Sequence, residues 1–159
     1  MPYRQDRGVG RLTAVVWRNV PIPETIVTPL LAGIALSIAI LRTLVQPYWV
    51  FTLLGAIVLT GGLFLTIWSV GAVEHIDVSA PDVLVENGPY AFSRNPMYVG
   101  WALIYLAALL FSRSLWILLL FPVVLLVTHV WAVLPEERAL EARFGPLYDA
   151  YRERVPRYL

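Results

Sequence analysis

Between Gly88 and Gly100 the chain reads GPYAFSRNPMYVG, setting two prolines, two tyrosines, an arginine and an asparagine against the start of an apolar run. An arginine beside a helix start suits a carboxylate or phosphate, because unpaired N–H groups and the positive dipole end add to a bidentate cation. The acidic pair Glu136-Glu137 stands at the far end of the next apolar run, where a carboxylate could hold an amine or a pair of hydroxyls. Tyr90, Tyr98 and Trp101 offer π faces to a flat ring or a cation, and equally fit an interfacial aromatic belt. His129 lies inside an apolar run, seven residues before Glu136. Seven residues are about two α-helical turns, so the two share a face if Pro135 does not rotate the register. An ionisable group within a membrane span is a functional candidate, and hydrogen bonding to another helix is the alternative.

The elements that must position these groups are apolar. Of 159 residues, 58% are hydrophobic and 14% charged, and the mean hydropathy is +0.69. Four apolar stretches stand out, at 26–41, 48–73, 98–111 and 115–134. A spanning helix needs about 20 mostly apolar residues. The second and fourth stretches meet that length; the first does so if it starts near Ile22, and the third if its helix begins at Pro96. The expected fold is therefore an all-α, polytopic membrane helical bundle of about four transmembrane helices. One domain covers 1–159, with an interfacial arm (1–20), a bundle (22–134) and a cytoplasmic amphipathic helical tail (136–159).

All twelve basic residues are arginine. Ten lie before the first span, between spans two and three, or after span four, and only Arg42 and Arg113 fall in the other loops. The positive-inside rule then puts both termini in the cytoplasm of a multi-pass protein, as in the bacterial inner membrane. It also puts Gly88–Gly100 and Glu136-Glu137 on the same side. The chain has no cysteine, which excludes thiolate metal sites and cysteine nucleophiles. His75, Glu74 and Asp77 lack metal-ligand spacing, so no metal is expected. Gly8-Val9-Gly10 lacks the rest of a nucleotide fingerprint.

Local signals place the boundaries. Asn95-Pro96 predicts a helix start, with Asn as N-cap and Pro following. Ser112-Arg113-Ser114 predicts a tight helical hairpin, and Pro135 a helix end or kink. An amphipathic stretch from Glu136 to Phe144 breaks at Gly145-Pro146 and resumes to Arg154. Gly55, Gly61, Gly62 and Gly71 in the second span are expected to serve helix packing.

The GPYAFSRNPMYVG segment, the acidic pair with Leu140, and the run FGPLYDAY at 144–151 together resemble one family. It is the integral-membrane isoprenylcysteine carboxyl methyltransferase and phospholipid methyltransferase family. The resemblance covers about Val83 to the end. In that family a basic-His-Pro-x-Tyr-x-Gly segment and a later acidic pair embrace S-adenosylmethionine. This implies S-adenosylmethionine as cofactor and Tyr90, Arg94, Asn95, Pro96, Tyr98, Gly100, His129, Glu136 and Glu137 as its binding residues. The acceptor implied is lipophilic (a lipid amine, a carboxylate or a small thiol) and arrives from the bilayer, with membrane lipids and no nucleic acid as partners. The family's usual histidine is Asn95 here, which cannot titrate, so no catalytic base is assigned. An arginine found in some members three residues after their histidine is Ala132. Two other readings compete. Membrane sterol reductases that use NADPH carry a similar segment, but are longer and bind more phosphate than one rim arginine satisfies. A non-catalytic membrane protein is the other, with Asn95 as its support.

Overall fold

The computed structural model describes residues 23–39, 48–73 and 81–159, and every regular element among them is helical. The arm at 1–20, His75 with its acidic neighbours, and Arg42 lie outside the described residues. Helix α1 spans Glu24–Ala39, α2 Tyr48–Ala72, α3 Pro96–Ser112 and α4 Leu115–Thr128. A π-helical turn, His129–Val133, joins α4 to α5 (Leu134–Phe144), and α6 (Pro146–Arg154) follows. The turn and both flanking helices form one continuous helical rod, Leu115–Phe144.

Two helices, Tyr48–Ala72 and Leu115–Phe144, are long and apolar enough to cross a membrane. The other two expected spans are helices of 16 and 17 residues. The first 20 residues of the long rod, to Leu134, already cover about 30 Å. Glu136 and Glu137 therefore lie beyond the apolar part.

Helix α3 is the centre of the packing. It lies along α2 in the most extensive helix contact, while α4 packs on α1 and α3 touches both of these. Small residues permit the α2–α3 approach: a Cβ on Gly62 would sit 2.9 Å from the Gly100 carbonyl, and one on Gly55 2.9 Å from Phe111. Gly61 would meet nothing within 4 Å, and neither would Gly71, so those two do not serve packing within the described residues. Ile26, Tyr105, Leu109, Ile117 and Val124 form the buried core between α1, α3 and α4. Tyr105 is fully buried there, and its hydroxyl is satisfied by donating to the Ile117 carbonyl at 3.1 Å. By contrast, Leu53, Ile57, Phe64 and Ile67 of α2 are exposed, an apolar surface suited to lipid.

The hairpin at Ser112-Arg113-Ser114 forms as its composition predicts. Arg113 takes a left-handed conformation (φ 49°), Ser114 caps α4 by accepting from the Ile117 N–H, and the Ser114 hydroxyl also contacts Ser37. The Arg113 guanidinium sits 4.2 Å above the Tyr48 ring.

Pro135 does not end the helix, which continues to Phe144. Proline has no N–H to give the carbonyl four residues back. The chain adapts one turn earlier: the Leu134 N–H bonds to the His129 carbonyl, five residues away. A π turn admits one extra residue into the helix, which turns the register by about 100°. His129 and Glu136, expected on one face, consequently part company.

Candidate active site

The polar segment after α2 is fixed first. Gly88, with φ at 59°, opens the short 3-10 turn Gly88–Ala91, and a Cβ there would lie 3.3 Å from the Trp68 indole nitrogen. The Tyr90 carbonyl accepts from the Tyr151 hydroxyl of α6 at 2.8 Å. The Arg94 N–H then bonds to the Pro156 carbonyl at 2.9 Å, so the segment after α6 is stitched alongside this loop.

Asn95 starts α3 as expected, yet its side chain does not cap the helix. Its amide instead donates to Glu137 Oε1 at 3.1 Å and to the Arg157 carbonyl at 3.2 Å. Glu137, buried in the first turn of α5, also receives Arg157 Nε at 3.0 Å and Nη2 at 2.8 Å, and pairs with Arg94 Nη1 at 3.2 Å. Burial alone would raise its pKa. The hydrogen bonds from Arg157 and Asn95 and the charge of Arg94 outweigh that and hold it below the ordinary carboxylate range. Glu137 is thus a structural clasp joining α3, α5 and the last residues of the chain.

Glu136 behaves differently. It accepts one hydrogen bond, from the Tyr98 hydroxyl at 3.0 Å, and no cation pairs with it among the described residues. Glu136 is exposed and stands on the wall of a concavity. Burial pushes its pKa up, the Tyr98 bond opposes this, and the Glu137 charge adds to the rise. Burial and the adjacent Glu136 charge likewise keep the Tyr90 phenol protonated.

The concavity is a cavity of about 490 Å³ between the 81–85 segment, the Tyr90–Asn95 loop, α5 and α6. Glu136, Ala139, Leu140 and Arg143 supply one stripe of its lining, as residues three, four and seven apart on a helix must. Arg94 contributes a guanidinium whose Nη1 serves Glu137 and Tyr148, while its buried Nε has no partner. Arg143, half exposed and bonded to the exposed Asp82 at 3.1 Å, adds a second cation to the wall.

Of the nine residues singled out in the sequence, Tyr90, Arg94, Asn95, Glu136 and Glu137 come together around this cavity. Tyr98 reaches it only through its hydroxyl on Glu136; its ring lines a second cavity of about 320 Å³, together with His129. His129 Nδ1 lies 2.7 Å from the Tyr158 hydroxyl. Pro96 is buried at the start of α3 and lines neither cavity. Gly100 also lines neither: it is the close crossing point, where a Cβ would fall on the Thr66 hydroxyl and 3.1 Å from the Gly62 carbonyl. Sequence reasoning missed Arg143, whose signal was the seven-residue spacing from Glu136. It also missed Tyr148 and Tyr151 as wall residues, although it had quoted their motif.

A cavity of this size falls within the range of about 300–1,000 Å³ typical of small-molecule sites. It presents an uncompensated carboxylate, flanking phenols and two guanidinium groups, which is the wall a zwitterionic, partly aromatic ligand needs. The fold is helical, with two helices apolar enough to cross a membrane, and its cavity has the size of a small-molecule site. The phospholipid methyltransferase family matches residues 50–146, more than half of the chain. The chain belongs to that family, whose members are methyltransferases. No curated protein and no solved structure matched it.

Proposed function

We propose that the protein is a multi-pass membrane methyltransferase that moves a methyl group from S-adenosylmethionine to a lipophilic acceptor. The observation that carries this reading is Glu136: a carboxylate inside a chamber, next to phenols, with no cation of its own among the described residues. An opposite charge close by favours the ionised form of such a carboxylate, so the position suits a ligand that brings positive charge. S-adenosylmethionine brings two, an ammonium and a sulfonium, and its donors fit the chamber's residues. In this reading Glu136 holds the amino group or the ribose hydroxyls. Arg94 and Arg143 hold the carboxylate, and Tyr90 flanks the base or the sulfonium.

When bound, the cofactor supplies a methyl group on sulfur that leaves a neutral thioether behind. The protein's own task is alignment, because an in-line displacement needs nucleophile and methyl carbon about 3–3.5 Å apart. Asn95 is occupied as a double donor to Glu137 and Arg157, so it works as scaffolding. The arginine distribution supports both termini in the cytoplasm, with the chamber on that side and four helices across the bilayer.

The test is incubation of the purified protein in lipid nanodiscs with methyl-labelled S-adenosylmethionine and a total lipid extract. Label should pass into a lipid product. Absence of any lipid-borne label, with the cofactor intact, would refute the reading.

A further inference from the structure

The rim of the bundle opposite the chamber carries a charge that the chain itself does not balance. Helix ends meet there: α2 begins at Tyr48, the 112–114 hairpin joins α3 to α4, and α1 reaches the hairpin through Ser37 on Ser114. Helix α3 has 17 residues, about 25 Å of rise, which sets this rim almost a bilayer core away from Asn95. Its two arginines are Arg42, outside the described residues, and Arg113. No aspartate or glutamate occurs between Glu24 and Glu74, or between Glu86 and Glu136. The segments that build the rim therefore hold no carboxylate, and none pairs with Arg113 among the described residues.

The Arg113 side chain is nevertheless fixed in place. Its backbone, with φ at 49°, occupies the left-handed conformation that a helix end usually gives to glycine. The guanidinium stacks 4.2 Å above the Tyr48 ring. Stacking uses the face of the group and leaves its edge of N–H donors for a bidentate oxygen partner. Arg113 Nε is buried without a partner, and so is Trp116 Nε1, three residues on at the start of α4. A buried donor without an acceptor is destabilising. Neither residue lines either cavity.

At the edge of a bilayer the acceptors come from lipid. A phosphodiester matches the guanidinium edge, and an indole N–H meets the polar layer just below the headgroups. The missing carboxylate selects among lipids. A zwitterionic head brings an ammonium for which this rim offers no anion, whereas a head of net negative charge supplies the counter-ion that Arg113 lacks. We infer that Arg113 and Trp116 form a site for the phosphodiester of one anionic phospholipid, in the leaflet opposite the chamber, with Tyr48 holding the guanidinium in position. The inference rests on the membrane-spanning reading and is independent of the methyltransferase one.

The probe is phosphatidylglycerol carrying a diazirine near its head, photolysed with the full chain in phosphatidylcholine nanodiscs and mapped by mass spectrometry. The peptide bearing Arg113 and Trp116 should take the label, and a phosphatidylcholine analogue should label it far less. Arg113→Gln should lower hairpin labelling about tenfold or more, while labelling near the arginines of the opposite rim stays unchanged as an internal control. Should Arg113→Gln fail to fold by thermal melting, Trp116→Phe removes the second donor and keeps the ring, and it should lower the labelling several-fold. Undiminished hairpin labelling in the folded variants, or equal labelling from the phosphatidylcholine analogue, overturns the inference. Loss of the label on adding inorganic phosphate, with the opposite rim still labelled, would assign the site to free phosphate and overturn the lipid assignment.

Discussion

Replacing each of the adjacent acids by glutamine should separate stability from ligand binding. Glu137 is buried and receives Arg157, Asn95 and Arg94. Glu137→Gln keeps the shape but leaves Arg94, whose side chain is 8% exposed, without its counter-charge. Breaking a buried pair costs about 3–5 kcal/mol. Arg157 is 38% exposed, so solvent screens its share and the lower end, about 3 kcal/mol, applies. For a chain of this size that is a fall in Tm of about 6–12 °C. Glu136→Gln changes an exposed carboxylate that no cation pairs with among the described residues, so Tm should move by less than about 2 °C. It does remove a charge-assisted contact to the ligand's ammonium, worth about 1.5–3 kcal/mol, or roughly tenfold to 150-fold in Kd. Differential scanning fluorimetry and calorimetric titration of S-adenosylhomocysteine, both in detergent, read the two quantities. If Glu136→Gln melts the protein while Glu137→Gln leaves Tm unchanged, the assignment of clasp and ligand carboxylate is wrong.

Acidification should weaken S-adenosylhomocysteine binding as Glu136 protonates, and the loss should begin above the ordinary carboxylate range because its pKa is raised. Tyr98→Phe deletes the bond that opposes this rise, so in titrations the loss should begin at a still higher pH, and in Glu136→Gln it should vanish. Stability has the opposite signs for the two acids. Glu137, held low, contributes stability that is present above its unfolded pKa and lost as pH falls through the folded value. Glu136, held high, makes the native state bind more protons, so stability declines as pH rises from the ordinary value through the raised one. Gly100→Val should cost about 1–3 kcal/mol by thermal melting, since its side chain meets Thr66 and Gly62. Gly61→Ala, facing open space, should gain about 0.5–1 kcal/mol.

Much of the helical frame was legible because it is written in local chemistry. The long apolar runs, the Asn95-Pro96 start, the Ser112–Ser114 hairpin and the Gly145-Pro146 break depend on propensities a few residues wide. Gly145, with φ at 51°, stands where its composition says a helix must stop. What escaped depends on distant partners. Pro135 read as a helix end or a kink, and the helix does not end there: a π turn just before it carries the chain on to Phe144. That turn in turn undid the alignment of His129 with Glu136. The adjacent acids could not be told apart in the sequence, since their roles follow from which one Arg157, twenty residues on, reaches. Likewise Asn95 read as a cap, while its amide spans to Glu137 and Arg157. Gly100 read as part of a ligand motif, and it sits where two helices cross.

The central claim is that the chamber around Glu136 is a cofactor site. Isothermal titration of the purified wild-type protein with S-adenosylhomocysteine and, separately, with NADPH tests it most directly. The account predicts saturable binding of S-adenosylhomocysteine near one per chain and none of NADPH. Saturable NADPH binding without S-adenosylhomocysteine would contradict it.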